Sequence, residues 1–392
     1  MSRILVEKAV GDEVFASLRS DWQRLFAVCE CAPFLSWEWL SSWFEFFGAD
    51  RTPFILKVTR ENQLIGVLPL CLQEKKILGM CLKRLSFIGE AQGGADYLDL
   101  IAKREDKTEI LAAIFEFLET EKGFDVIALE NLASGSETAG FLNNSRKNGL
   151  RYRDLQTFVC PQIDLSNGWE TILKHSKRAD NFKRKLKKLE KTEGFEFRSI
   201  TSAAEIEAAF ERFYHLHEKR WAAGGGSELI GHPRLLAFQR EVVKNLAHAG
   251  LIRFDELWAE GTCRASVYGL DDGKTFYYYN SGYDLDWSSK SVGLVLIGLS
   301  IKNSIARGLL LYDFLRGDEA YKFDWANCQN ELLTVHLNRQ TIPAIAFETI
   351  NQAMFQLRQV SKFAVPTHFA EVLKIWRRTR QRNQQLNITP SS

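Results

Sequence analysis

A long hydrophobic run is the first thing this 392-residue sequence lacks. The best, Val292–Leu299, falls far short of the roughly 20 apolar residues that cross a bilayer. The start, Met1–Glu13, has no apolar core of the kind a secretory leader carries. Nothing exports or anchors the chain on this reading, and a cytoplasmic protein is expected. The seven cysteines (Cys29, Cys31, Cys71, Cys81, Cys160, Cys263 and Cys328) form no CxxC pair and no zinc-like spacing. An odd number excludes complete internal pairing, so reduced core thiols and no metal are expected. A dominant charge is missing too. The formal net charge of +2 argues neither for nucleic acid nor for membrane by itself. Histidines number seven, and His215 and His217 align with no acidic partner, which leaves a Ser–His–Asp site without support.

Large rings, by contrast, are plentiful: 27 Phe and 10 Trp promise a substantial core, since each buries much area. The chain is longer than one core usually supports, so two domains are expected. Only the polar tail Arg380–Ser392 reads as disordered.

Periodicity sets out an element order that occurs twice. The first half reads as helices over Asp12–Cys29 and Trp37–Phe47, the latter with Ser36 as N-cap. Strands follow at Phe54–Thr59, Leu64–Leu72, Arg84–Ile88 and Tyr97–Ala102. A helix (Lys107–Thr120), a strand (Asp125–Glu130), a helix (Ser136–Asn148) and a strand (Tyr152–Val159) complete it. The second half opens with a strand at Phe195–Ser199 and helices at Ala203–Ala222 and Pro233–His248. Three strands, Leu251–Ala259, Cys263–Leu270 and Thr275–Ser281, form a meander whose last turn is Asp271-Asp272-Gly273. A helix (Val292–Arg307), a strand (Leu309–Leu315), a short helix near Glu319–Asn327 and a strand (Leu332–Asn338) end the repeat. Helices around a mixed, mainly antiparallel sheet make an α+β fold. The expected division is a first domain over 1–160, a connector with a basic helix over 161–192, a second domain over 193–341 and a helical tail over 342–392. Helix over Ile342–Arg378, broken by Pro366, is expected to pack across both domains.

Six stretches resemble a known family in order and spacing: Pro33–Gly48, Leu64–Leu70, Asn181–Phe197, His217–Trp221, Lys290–Ile297 and Tyr312–Ala326. The family is the CelD/BcsL-type branch of the GNAT acetyltransferases, associated with cellulose and exopolysaccharide synthesis, with FemABX-type aminoacyltransferases as distant relatives. The resemblance spans about residues 21–338. It implies tandem GNAT-like domains, of which the second transfers an acyl group from acetyl-CoA or another acyl-CoA. The acceptor would be an amine or hydroxyl of a sugar, polysaccharide precursor or small metabolite. The sequence departs from the usual acyl-CoA loop, because Ser289-Lys290-Ser291-Val292-Gly293 has one glycine. The first-half counterpart, Lys103–Thr108, has none and carries Glu105 and Asp106, which repel anions. The first domain therefore reads as a degenerate copy that shapes the substrate cleft.

Acyl transfer from a thioester requires a grip on the cofactor's pyrophosphate, a donor for the oxyanion and a route for protons. For the first, Ser289, Lys290, Ser291, Val292, Gly293 and Leu294 open an apolar helix. Backbone N–H groups and the dipole at such a start attract phosphate; an ordinary capped helix start reads the same way. The resemblance places the oxyanion donor on the strand Thr275–Ser281. Alternation puts Tyr277 and Tyr279 on one side of it, as tunnel lining or as packing, and Tyr279 and Tyr283 are candidate substrate contacts. Asp313 lies inside an apolar strand, where an unpaired carboxylate is costly. It either pairs with Arg316 or Lys322 or faces a cleft as a proton acceptor. The resemblance gives Tyr321 the role of protonating the departing thiolate. Arg316 and Lys322 are candidates for an anionic group on the acceptor, and Arg220 and Trp221, before the loop Gly224–Ser227, are candidate acceptor contacts.

Nine basic residues over 174–191 share a helix with an apolar stripe of Ala179, Phe182, Leu186 and Leu189, which makes one strongly positive face. A solvated surface, an anionic carrier or CoA phosphate, a membrane surface and RNA all suit it. With tRNA as the donor carrier, the chain would be a FemABX-like aminoacyltransferase. A binding protein that keeps the fold without the chemistry is the other alternative.

Overall fold

A computed structural model describes residues 4–9, 11, 13–90, 92–144, 151–222 and 232–364, with backbone alone at 151–156, 221–222 and 354–364. In the first half the elements are β1 (Ile4–Ala9), α1 (Val14–Val28), α2 (Trp37–Phe47), β2 (Arg51–Arg60), β3 (Gln63–Ile77), β4 (Met80–Phe87), β5 (Ile101–Ala102), α3 (Lys107–Thr120), β6 (Val126–Ala133), α4 (Glu137–Asn144) and β7 (Arg151–Asp164). Then come α5 (Gly168–His175), α6 (Ala179–Leu189), β8 (Glu196–Ile200), α7 (Ala203–Ala222), α8 (Pro233–Ala249), β9 (Ile252–Ala259), β10 (Thr262–Asp271) and β11 (Thr275–Tyr283). The chain continues through α9 (Val292–Ala306), β12 (Leu311–Asp313), α10 (Ala320–Phe323), β13 (Cys328–Asn338) and α11 (Ile342–Ala364).

One mixed sheet joins the strands in the order β1-β2-β3-β4-β6-β13-β7-β12-β11-β10-β9-β8, with β5 beside β3. Read inward from either edge, the pattern is the same. Four antiparallel strands lead to a parallel pair, β4 with β6 and β11 with β12. One further antiparallel strand follows each pair. That further strand is exchanged: β7, from the first half, lies against β12, and β13, from the second, lies against β6. The two then pair with each other from Cys328↔Gln162 to Asn338↔Arg151. The repeated order is therefore a repeated fold, an α+β architecture whose mixed sheet is flanked by helices.

Several elements differ from the sequence expectations. β1 was not anticipated; it pairs with β2 from Ile4↔Arg60 to Ala9↔Ile55, and its burial pattern lacks strict alternation. The single basic helix expected over 174–191 is interrupted before α6. Ser176 donates its hydroxyl to the Asp324 carbonyl, Lys177 its N–H to the same oxygen, and Arg178 pairs with the Asp324 carboxylate. Contacts from a segment 146 residues away turn the chain where local propensity would continue it. The Tyr97–Ala102 strand shrinks to β5, because Tyr97 has a left-handed backbone at φ 57°. The described part of α11 rests on β3 and β4 and touches β13 through the Phe347–His336 stack and the Asn338–Glu348 bond. Pro366, the end of the Ser136–Asn148 helix and the loop Gly224–Ser227 lie outside the described residues.

One core runs through both halves on one side, joining Trp22, Trp39 and Ile55 to Phe210, Phe238 and Tyr268. A second lies under α5, α6 and α9 against β9–β12, with Phe182, Phe276, Val295 and Tyr312 among its buried members. Gly298 makes this second packing possible, since a Cβ there would overlap the Phe182 ring of α6.

Candidate functional site

β11 and β12 pair only at Thr275↔Leu311, Phe276↔Tyr312 and Tyr277↔Asp313. Beyond that point β12 ends and the strands part, which leaves the β11 edge without a strand partner on that side. A cavity of about 320 Å³ opens there. Its walls are the start of α9 (Ser291, Val292, Gly293, Leu294), the end of β11 (Tyr278, Ser281, Gly282, Tyr283), Arg178 and Asn181 beside and on α6, Arg220 on α7, and Tyr321 on α10.

The start of α9 is unusual in one respect that bears on anions. Ser291 occupies the N-cap position with a left-handed backbone, φ 58° and ψ 41°, and its side chain makes no capping bond. The expected Ser cap is therefore absent. The first N–H groups of a helix have no intrahelical acceptor, so those of Val292, Gly293 and Leu294 remain for a ligand, with the positive end of the helix dipole behind them. Gly293 faces the Tyr283 ring, which a Cβ would meet at 3.4 Å. Among the described residues of this lining the charged ones are Arg220 and Arg178, the latter paired with Asp324, and none is a carboxylate or an imidazole. The Arg220 guanidinium lies 4.7 Å from the Tyr283 ring centroid. This electrostatic character suits a phosphorylated ligand.

At the inner end Tyr321 packs edge-on against Phe314 at 6.4 Å and stands 6.5 Å from Tyr278, centroid to centroid. Burial, then the neighbouring Tyr278 and Glu319, push the Tyr321 phenol far above its ordinary value. Tyr278 is raised as well, again chiefly by burial. Both keep their protons at any physiological pH, as a proton donor must.

The other candidates lie elsewhere. Ser289 and Lys290 sit just outside the cavity lining: the Ser289 carbonyl accepts from Lys185 of α6, and the Lys290 ammonium lies 3.3 Å from the Trp287 ring centroid. Tyr279 points to the opposite face of the sheet, where its hydroxyl bonds the Gly93 carbonyl and accepts from Gln239. Arg316 pairs with Asp96 at 3.2 Å and donates to Asn131. Lys322 is buried and bonds the carbonyls of Leu315 and Arg316 and the Glu319 carboxylate. The side chain of Trp221 lies outside the described residues.

Of the two alternatives for Asp313, pairing with Arg316 or Lys322 is not made, and the residue lines a second cavity instead. Its Oδ2 accepts from the Tyr97 hydroxyl at 2.5 Å and from Gln162 at 2.6 Å, and its Oδ1 from the Leu315 N–H at 2.7 Å. Burial pushes its carboxyl up to about 6 against the pull of those bonds. It belongs to the face of the sheet that carries Tyr277, not to the Tyr321 cavity.

Sequence reasoning did not single out Tyr278 or Asn181, and took Arg178 only as one of the nine basic residues over 174–191. The alternation that paired Tyr277 with Tyr279 already put Tyr278 on the other side. What was missing was which side α9 covers.

The two halves repeat one mixed-sheet fold, and in the second the start of α9 faces the parting of β11 and β12. Residues 176–323 match the family described as Acetyltransferase (GNAT) domain, and that segment carries all of the first cavity's described lining except Trp325. Among solved structures, the chain is similar to FemX, 11% identical, with 83% of this chain and 96% of that one covered at a TM-score of 0.56. It is also similar to a conserved protein of unknown function from Bacteroides thetaiotaomicron VPI-5482, 11% identical, covering 85% and 100% at 0.52. A third is the C-terminal DUF2156 domain assigned to a lysylphosphatidylglycerol synthetase of Agrobacterium fabrum, 11% identical, covering 85% and 96% at 0.51. These likenesses concern the fold. Among curated proteins none matches the sequence. No described helix is long and apolar enough to cross a membrane.

Proposed function

We propose that this chain is an acyl-CoA-dependent acyltransferase of the CelD/BcsL type, acting on an amine or hydroxyl of a sugar, polysaccharide precursor or small metabolite. The observation that carries it is the uncapped start of α9 opening into a cavity with two arginines and no carboxylate. The pyrophosphate of acetyl-CoA or another acyl-CoA would take the N–H groups of Val292 to Leu294. The pantetheine arm would follow the parting of β11 and β12 toward Tyr321. There the thioester carbonyl would meet the unpaired edge of β11, where the family resemblance places the oxyanion donor. The acceptor would attack the carbonyl carbon, the C–S bond would break, the Tyr321 hydroxyl would protonate the leaving thiolate, and the proton lost by the acceptor would restore the phenol. The basic face of α6 suits the 3′-phosphate end of CoA or an anionic carrier of the acceptor.

The test is calorimetric titration with acetyl-CoA. Saturable binding is expected for the native protein and its loss in Gly293→Glu, which places a carboxylate where the diphosphate would lie. The exposed cations of α6 also favour a second reading, in which charged tRNA brings the donor. Retention of tRNA without CoA binding would establish that reading instead, and release of no thiol with any acceptor would point to a binding protein.

A further inference from the structure

A second cavity, of about 390 Å³, lies on the other side of the sheet, between the two halves. None of its lining residues is shared with the first. One wall is Arg104 and Lys107, from the segment that repeats the phosphate loop in the first half; the loop before α4 and the α1–α2 connection supply others. The floor comes from the second half and from the exchanged strand: Tyr277, Asp313 and Gln162, with Tyr97 beside them.

The charged groups of this cavity are mutually satisfied with a single exception. Glu30 pairs with Lys274 at 2.6 Å, Asp99 with Lys107 at 2.9 Å and Glu137 with Arg104 at 3.0 Å. Asp313, only 1% exposed, has neutral donors alone, and none of the ion pairs among the described residues includes it. A buried carboxylate without a cation is a costly arrangement. The backbone around it is strained as well: Tyr97 and Leu315, its immediate partners, and Asn131, which accepts the N–H of Leu98, all have φ between 56° and 61°. Non-glycine residues held there cost of order 1–3 kcal/mol each, and such outliers gather at functional sites.

We infer that this second cavity binds a ligand bearing a primary ammonium group, seated against the Asp313–Tyr97–Gln162 cluster, and that this ligand is the acceptor of the transfer reaction. The acceptor role rests on the function proposed above; the binding does not. A carboxylate at the floor supplies the missing countercharge, the Tyr97 and Tyr277 rings offer faces that attract a cation, and the volume takes a monosaccharide-sized body. The first cavity supplies no base, whereas Asp313 sits one strand position from Tyr312 and Phe314 of the donor side. On transfer, the ammonium would give one proton to the Asp313 carboxylate, the freed nitrogen lone pair would form the new bond to the acyl carbon as the C–S bond breaks, and the nitrogen's second proton would replace the one that Tyr321 gives the thiolate.

The probe is D-glucosamine, titrated at pH 7.5 without any acyl-CoA and compared with D-glucose and N-acetyl-D-glucosamine, which differ from it only at C2. The expected result is binding at least tenfold tighter than either neutral sugar, with at least a tenfold loss in Asp313→Asn and a comparable loss in the cavity-filling Asn330→Trp. Acetyl-CoA affinity should stay unchanged in both variants, which shows that they are folded. Equal binding of the three sugars by the native protein, or no binding of glucosamine, overturns the inference without use of any variant. Retention of glucosamine by a CoA-competent Asp313→Asn overturns it too. Failure of CoA binding with glucosamine selectivity intact would sink the donor reading and leave this one standing.

Discussion

Tyr321 and Asp313 are both buried titratable residues, and burial drives them to opposite uses. A phenol held far above its ordinary value is neutral throughout the working range, so under the proposed function its proton is in place when the thiolate forms. Removing that proton alone should leave the donor's seat intact. Tyr321→Phe is expected to lower kcat for thiol release by about 10²- to 10⁴-fold, with acetyl-CoA affinity within about twofold of native; a kcat within threefold would assign the proton to another source. Asp313 is raised from an ordinary 3.8 to about 6. Between those values the folded protein holds a proton that the unfolded chain has released, so stability falls as pH rises through that window. At about 1.4 kcal/mol for each pH unit, the loss amounts to about 3 kcal/mol. Urea unfolding at pH 4 and pH 7 should show this loss in the native protein and its absence in Asp313→Asn. An unchanged pH dependence in the variant would refute the burial account.

At the scale of elements, two glycines of α9 have different duties that substitution separates. Gly293 borders the cavity with ordinary contact to Tyr283, so Gly293→Ala should bind acetyl-CoA within about threefold of native. Gly298 is the bed for Phe182, and overpacking at such a contact costs roughly 1–3 kcal/mol. Gly298→Leu is therefore expected to lower stability in thermal unfolding by that amount. It should also weaken CoA binding, because Arg178 and Asn181 move with α6; unaltered stability would contradict the packing described. The helices α2, α3 and α8 were legible in the sequence from one apolar face and β9–β11 as apolar runs bounded by turns, and all fall within a few residues of their expected bounds. β1 was not, since its six residues gain their place only from β2. The break before α6 depends on Asp324, far away in sequence. The same holds for the site. The start of α9 could be read locally, but the partners of Asp313 come from β7 and the loop before β5, and only the assembled sheet brings them to it.

For the whole molecule, the exchange of β7 and β13 matters more than the repeat itself. Each half contributes a strand to the sheet of the other, and a shared core joins α1 and α2 to α7 and α8. Neither half can bury its own edge alone, and an unpaired edge is an aggregation surface. Fragments divided at residue 192 should each be insoluble or unfolded by circular dichroism but should assemble when co-expressed; a stable second fragment alone would contradict this. The arrangement also explains why the Tyr321 cavity and a second, polar cavity lie back to back at the junction, where β11, β12 and β7 meet.

The central claim is that the start of α9 holds a diphosphate. Its most direct test is isothermal titration of the full chain with acetyl-CoA alongside Gly293→Ala and Gly293→Glu. The account predicts saturable one-to-one binding in the native and alanine forms and none in the glutamate form; equal binding in all three, or none in any, contradicts it.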